Sequence, residues 1–178
     1  MTQNMYKIGM LGSSKVGKTS IVVKYALNRF ENMYDPTIHD AYRTTVRVNE
    51  RPYSVQIIDC GDIMPDSVIT DVNGFVCVYS IDSIETLSAL GKKIHSVQQL
   101  RNDLETPIIV VGNKLDLFNQ RQISVTEGVL FAHMNGTEYV ETSAVLGYNI
   151  DYALSQLMSK ILTHEGIPEK YGCICNIL

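Results

Sequence analysis

The sequence predicts a single α/β domain built on a mostly parallel sheet, with about six strands flanked by about five helices. Three observations carry that prediction. Strand-like and helix-like patterns alternate along the chain. Val76-Cys77-Val78-Tyr79 and Ile108-Ile109-Val110-Val111 are continuous apolar runs, the pattern of strands buried on both faces of a parallel sheet. Gly12-Ser13-Ser14-Lys15-Val16-Gly17-Lys18-Thr19 fits G-x-x-x-x-G-K-[ST], with an apolar run before it and the helix-like spacing of Ile21, Val22, Tyr25 and Ala26 after it.

In chain order, strands are predicted at Tyr6–Leu11, Ala41–Val48, Tyr53–Asp59, Gly74–Ser80, Ile108–Gly112 and Glu138–Glu141. Helices are predicted at Lys18–Arg29, Ile84–Arg101, Val125–His133 and Ile150–Leu162. Asn49-Glu50 before Arg51-Pro52 reads as a tight turn, so the second and third strands pair antiparallel. Ser124 with Glu127 three residues on is a capping-box pattern. Pro65 suits the first position of a short extra helix. Beyond Thr163 the periodicity stops, and Gly166, Pro168 and Gly172 intervene. The expected organisation is one domain over 1–163 and a flexible tail over 164–178.

The 178 residues are enough to bury a substantial core, and 45% hydrophobic with 19% charged residues is a globular composition. A net charge of −4 argues against nucleic acid as the main partner. Met1-Thr2-Gln3-Asn4 is polar and the apolar run after it is short, so no signal peptide or bilayer span is expected. Cys60, Cys77, Cys173 and Cys175 suit neither a zinc site nor a disulfide framework, as expected of a cytosolic chain, and Cys77 belongs to the core.

The Gly12–Thr19 segment is a phosphate-binding loop. Glycines let the backbone wrap closely around an anion, with N–H groups pointing inward and a helix amino terminus behind them. Lys18 supplies a point charge for the outer phosphates, and the Thr19 hydroxyl suits the Mg²⁺ that accompanies a nucleoside triphosphate. Asn113-Lys114-Leu115-Asp116 follows a strand and points to guanine as the base. The Asp116 carboxylate offers two acceptors to guanine N1–H and N2–H₂, whereas adenine would leave it facing a lone pair. Asn113 can hold the opposite edge of the base or tie its loop to the phosphate loop. The Lys114 stem can lie along the ring. Glu141-Thr142-Ser143-Ala144 can bring backbone amides toward the guanine carbonyl. Phe30 can stack on the base, or serve as a partly buried core aromatic.

With these landmarks the chain resembles a Ras-superfamily small GTPase, a P-loop NTPase, over nearly its whole length. Tyr34-Asp35-Pro36-Thr37-Ile38-His39-Asp40-Ala41-Tyr42 is similar to the effector loop, switch I, of the Ras and Rap branch. The resemblance implies GTP/GDP and Mg²⁺ as cofactors, bound through Gly12, Ser13, Ser14, Lys15, Val16, Gly17, Lys18, Thr19 and Ser20. It adds Phe30, Tyr34, Thr37, Gly61, Asn113, Lys114, Asp116, Ser143, Ala144 and Val145. Thr19, Thr37 and Asp59 would share the metal, and Lys18 and Thr37 would stabilise the reacting phosphate. Tyr34 would fold over the phosphates, and Ile38 to Tyr42 would present a strand edge to an effector domain. Asp35 and Asp40 suit a basic partner surface. His39 stands where that branch commonly has glutamate. An exchange factor and a GTPase-activating protein are implied as regulators, acting on a monomer.

The pattern breaks in switch II. The family motif D-x-x-G, followed by a catalytic Gln, here reads Asp59-Cys60-Gly61-Asp62, and no Gln occurs between Asp59 and Gln98. The interval to Gly74 is also shorter than in relatives. Gly61 and Asp62 therefore stand where catalytic contacts would be, and a carboxylate there faces like-charge repulsion from the γ-phosphate. Ser14 and Lys15 occupy loop positions that are glycine in many Ras-branch members; Lys15 either adds positive charge close to the phosphates, offsetting weakened γ-phosphate contacts, or points to solvent. Val145 replaces a lysine that often follows the Ser-Ala pair. The expected function is a GTP-binding signalling switch with weak intrinsic hydrolysis. The alternative is a pseudo-GTPase scaffold locked in one nucleotide state.

Cys175-Asn176-Ile177-Leu178 is a C-a-a-X box whose terminal Leu suggests geranylgeranylation. Cys173 is the candidate for a second lipid, because one chain seldom anchors stably and no polybasic cluster accompanies it. The expected location is the cytoplasmic face of a membrane.

Overall fold

Hydrophobic alternation in the central strands decides the layering. A computed structural model describes residues 5–27, 33–35 and 40–167, with side chains described for 5–26 and 41–167. The strands are β1 (Tyr6–Leu11), β2 (Met33–Asp35), β3 (Asp40–Val48), β4 (Arg51–Asp59), β5 (Gly74–Ser80), β6 (Ile108–Asn113) and β7 (Glu138–Glu141). They form one 7-stranded sheet in the order β2-β3-β4-β1-β5-β6-β7. Pairing is antiparallel at β2–β3 and β3–β4 and parallel from β4 through β7.

Along β5, Val76 and Val78 face one core while Phe75, Cys77 and Tyr79 face the other; β6 divides likewise, with Ile109 and Val111 against Ile108 and Val110. Both strands are buried throughout, as continuous apolar runs require. Helices α1 (Lys18–Leu27) and α5 (Ile150–His164) cover the first face. Helices α2 (Asp66–Asp71), α3 (Ile84–Arg101) and α4 (Val125–Met134) cover the second. The α5 stripe Ile150, Ala153, Leu154, Leu157, Met158, Ile161 and Leu162 repeats at helical spacing and is buried throughout. Each large apolar side chain in it contributes about 1.5–3 kcal/mol by burial. The core cysteine expected at Cys77 is fully buried, and burial pushes its thiol pKa up.

The Asn49-Glu50 turn is as expected. Both residues have positive φ, 47° and 63°, and Val48 pairs with Arg51 across the two-residue loop. Ser124 and Glu127 form the reciprocal capping box at the start of α4. Pro65 differs by one position: it is the N-cap of α2, and its carbonyl accepts from the amides of Val68 and Ile69. Two elements escaped the sequence. One is a 3₁₀ helix, Leu115–Gln120. The other is β2, whose three residues are too few for a period to register. Its presence corrects one expectation: β2 pairs with Ala41, Tyr42 and Arg43, so Ala41 and Tyr42 lie inside the sheet and the edge there belongs to Met33–Asp35. Phe30, Pro36, Thr37, Ile38, His39, Cys173 and Cys175 lie outside the described residues, and Tyr34, Asp35 and Asp40 are described in backbone only. Among the described residues no helix is long and apolar enough to cross a membrane.

The chain leaves β1 to one side for β2–β4 and returns on the other for β5, so strand order reverses beside β1. In open parallel sheets the crevice beyond the carboxyl ends at such a reversal is where ligands bind.

Gly128 sits inside α4, where a Cβ would stand 2.5 Å from Tyr139 Cζ and 2.6 Å from Tyr79 Oη. Helix propensity alone favours alanine there by about 0.5–1 kcal/mol, but overpacking costs about 1–3 kcal/mol. Gly128→Ala is expected to lower the urea midpoint; a raised midpoint would show that packing does not govern the position.

Candidate functional site

Four strand ends, those of β1, β4, β6 and β7, converge on one cleft. The loop after β1 enters it with backbone that favours glycine: Gly12 has φ 152° and Gly17 φ 96°, and Cβ atoms there would stand 2.3 Å from the Val78 carbonyl oxygen and 2.4 Å from Asn113 Nδ2. Lys15 adopts φ 66° and is solvent-exposed, as expected of a lysine turned outward. Val16 is fully buried and anchors the loop to the core.

Lys18, at the first turn of α1, is buried at 5% exposure. Its Nζ donates to the carbonyls of Gly12 and Ser13, each at 3.0 Å, and no carboxylate among the described residues forms an ion pair with it. Burial holds its pKa below the ordinary lysine range, against the opposing pull of Asp59 and Asp62. A buried ammonium held only by carbonyl dipoles is suited to an arriving anion.

Beside it, the Thr19 hydroxyl donates to Asp59 Oδ2, and the Gly61 amide donates to Asp59 Oδ1 at 3.1 Å. Thr19 and Asp59 thus meet as the hard oxygen donors that Mg²⁺ takes, so these residues fit the metal. Thr37, the third residue expected to share it, lies outside the described residues.

The base half of the cleft is built around Asn113, 1% exposed at the end of β6. Of the two roles the sequence left open for it, the geometry shows the tie: Nδ2 donates to the Val16 carbonyl at 2.9 Å. Its Oδ1 accepts from Thr142 Oγ1 at 3.0 Å and from the Ala144 amide at 3.3 Å. Lys114 takes φ 68°, and its Nζ lies 3.6 Å from Asp82 Oδ2. Asp116 Oδ1 accepts from Ser143 Oγ at 2.5 Å, while its other oxygen has no protein partner among the described residues. The serine aims the carboxylate and leaves one acceptor for a ligand.

These pieces line one cavity of about 530 Å³, bounded by Ser14, Lys15, Gly17, Lys18, Thr19, Ser20, Gly61, Asn113, Lys114, Asp116, Ala144 and Val145, with Leu117. Leu117 was missed by sequence reasoning, although it directly follows Asp116. Lys93, on α3, was also missed: its Nζ donates to the Asp62 carbonyl, and no local spacing signals a contact across 31 residues. A second cavity of about 400 Å³, near Pro107, Gly136 and His164, contains none of the predicted site residues.

The Ras family model matches residues 7–163. The chain is 33% identical over 167 residues to GTP-binding protein Rit2 of Rattus norvegicus, covering 91% of this chain and 77% of that protein. It is 32% identical over 166 residues to Ras-like protein 1 of Saccharomyces cerevisiae, covering 90% and 54% respectively. It is 32% identical over 159 residues to Ras-like protein rasU of Dictyostelium discoideum, covering 86% and 74%.

Asn113→Ala leaves the Val16 carbonyl, the Thr142 hydroxyl and the Ala144 amide short of a partner. It is expected to cost about 2–4 kcal/mol in chemical denaturation, the range for breaking a buried polar network. A loss below 1 kcal/mol would show that water replaces the amide without penalty.

Proposed function

The chain belongs to the Ras family of GTP-binding signalling proteins, and from that premise we propose a lipid-anchored guanine-nucleotide switch whose own GTP hydrolysis is slow. In this reading Gly12–Ser20 wraps the phosphates and Lys18 binds the outer ones. Asp116 reads the guanine edge, with Lys114 along the ring and Ser143, Ala144 and Val145 closing the base pocket. Phe30 and Tyr34 cover the nucleotide. Mg²⁺, held by Thr19, Asp59 and Thr37, supplies charge neutralisation at the outer phosphates when bound. Effectors engage the segment Tyr34 to Tyr42, with Met33–Asp35 as the open sheet edge. An exchange factor loads the nucleotide, and a GTPase-activating protein accelerates its cleavage.

One observation carries the slow hydrolysis. The Gly61 amide, the candidate γ-phosphate donor, is bonded to Asp59 Oδ1, and no Gln follows it before Gln98 to orient water. Ser14 Oγ donates to Asp62 Oδ2 at 3.1 Å, and this tie between the phosphate loop and switch II favours a second reading, a scaffold held in one nucleotide state. Single-turnover assays with purified protein, GTP and Mg²⁺ test the first. Exchange that proceeds while hydrolysis runs at least about tenfold below an ordinary Ras-family protein is expected, a barrier difference of about 1.4 kcal/mol. An ordinary rate refutes slow hydrolysis, and no exchange at all favours the scaffold.

Membrane attachment rests on Cys175 in the C-a-a-X box, with Cys173 as second lipid site and the cytoplasmic membrane face as location. Intact mass of the protein from its native host is expected to show a geranylgeranyl group carried on Cys175. An unmodified Leu178 terminus would refute it.

A further inference from the structure

The residues after Asp59 do not hang free of the cleft. Gly61 turns the chain with φ 70° and lines the phosphate cavity. Met64, 9% exposed, belongs to the core on the α2–α3 face of the sheet and packs so close to β1 that a Cβ on Gly9 would stand 3.0 Å from its Cε. Between these two anchors Asp62 is held from both sides. Ser14 of the phosphate loop donates to its Oδ2 at 3.1 Å. Lys93 of α3 donates to its main-chain carbonyl and lies 3.4 Å from Oδ1.

The donors taken by this carboxylate are a phosphate-loop hydroxyl and a lysine ammonium, the kinds of group that would receive a terminal phosphate. The Lys18 ammonium lies within electrostatic range of both Asp59 and Asp62. A bound metal would offset the charge of Asp59, whereas Asp62 has Lys93 beside it and only the more distant pull of Lys18. A third phosphate entering beside Ser14 must displace the Asp62 carboxylate from its donors or accept its repulsion. A diphosphate, which ends one phosphate earlier, meets neither cost.

We propose that Asp62 is a specificity-determining residue that biases this site toward the nucleoside diphosphate, its carboxylate acting as a built-in competitor of the third phosphate. The inference rests on the guanine-nucleotide reading above. It makes the resting form of the protein the GDP form, and it assigns the step from GDP to GTP a local event, release of Asp62 from Ser14.

The test uses the full chain stripped of nucleotide, titrated in Mg²⁺ with fluorescent GDP and with a non-hydrolysable fluorescent GTP analogue. The parent protein is expected to prefer GDP. Asp62→Asn keeps the shape and removes the charge; Asp62→Ala removes both charge and acceptor. Each is expected to shift the GDP-to-analogue affinity ratio about tenfold toward the analogue, the scale of one partly screened charge contact, with GDP affinity held within about twofold. Asp62→Glu, which retains the charge, is expected to keep the parent's preference. Equal affinity for the two nucleotides in the parent, or a ratio unmoved in both Asn and Ala variants with GDP binding intact, overturns this proposal alone. Failure of the parent to bind GDP overturns the guanine-nucleotide reading and this proposal with it.

Discussion

The buried carboxamide of Asn113 joins three strand ends, and the cleft depends on it. Its nitrogen reaches the loop after β1 at Val16, and its oxygen collects the Thr142 hydroxyl and the Ala144 amide after β7. At 1% exposure it works in a low dielectric, where a satisfied hydrogen bond holds firmly and an unsatisfied one is costly. Gly17 follows from it: any Cβ there would collide with Nδ2 at 2.4 Å. One side chain therefore links the phosphate half of the site to the base half, and requires a glycine where they meet.

The two halves differ in how completely the protein has finished them. At the base, Ser143 holds one oxygen of Asp116 and leaves the other for a ligand, so recognition needs little rearrangement. At the phosphates, Lys18 is buried against two carbonyls, a position in which its charge is tolerated rather than paired. Burial lowers its pKa, and a bound anion would remove that penalty. The same cleft edge holds two carboxylates, Asp59 and Asp62, so the outer phosphate region is more acidic than a loop carrying Lys15 and Lys18 suggests when read alone.

That imbalance connects fold to function. The segment after Asp59, with Met64 seated in the core, has less freedom to rearrange than a long exposed loop. Holding a nucleotide needs the strand-end loops of β1, β6 and β7, which lie on buried parallel strands. Cleaving one needs a donor and a positioned water beside Gly61, whose amide is engaged with Asp59.

Much of this was legible in the sequence, because strand burial, helix periodicity, the phosphate-loop glycines, the Asn49-Glu50 turn and the Ser124–Glu127 box are local patterns. Each is dictated by backbone sterics or by hydrogen bonds spanning a few residues. What could not be read there is whatever joins distant segments or is too short to have a period. The three-residue β2, which takes the sheet edge from Ala41 and Tyr42, is of the second kind. The choice of Val16 as the partner of Asn113, the glycine imposed at Gly128 by Tyr139, and the Ser14–Asp62–Lys93 contact are of the first. The sequence by itself determined an α/β domain with a guanine-type nucleotide cleft and an altered switch II. Only the tertiary structure decided where that altered segment rests, because its partners come from the phosphate loop and from α3, and nothing local to residues 60–65 selects them.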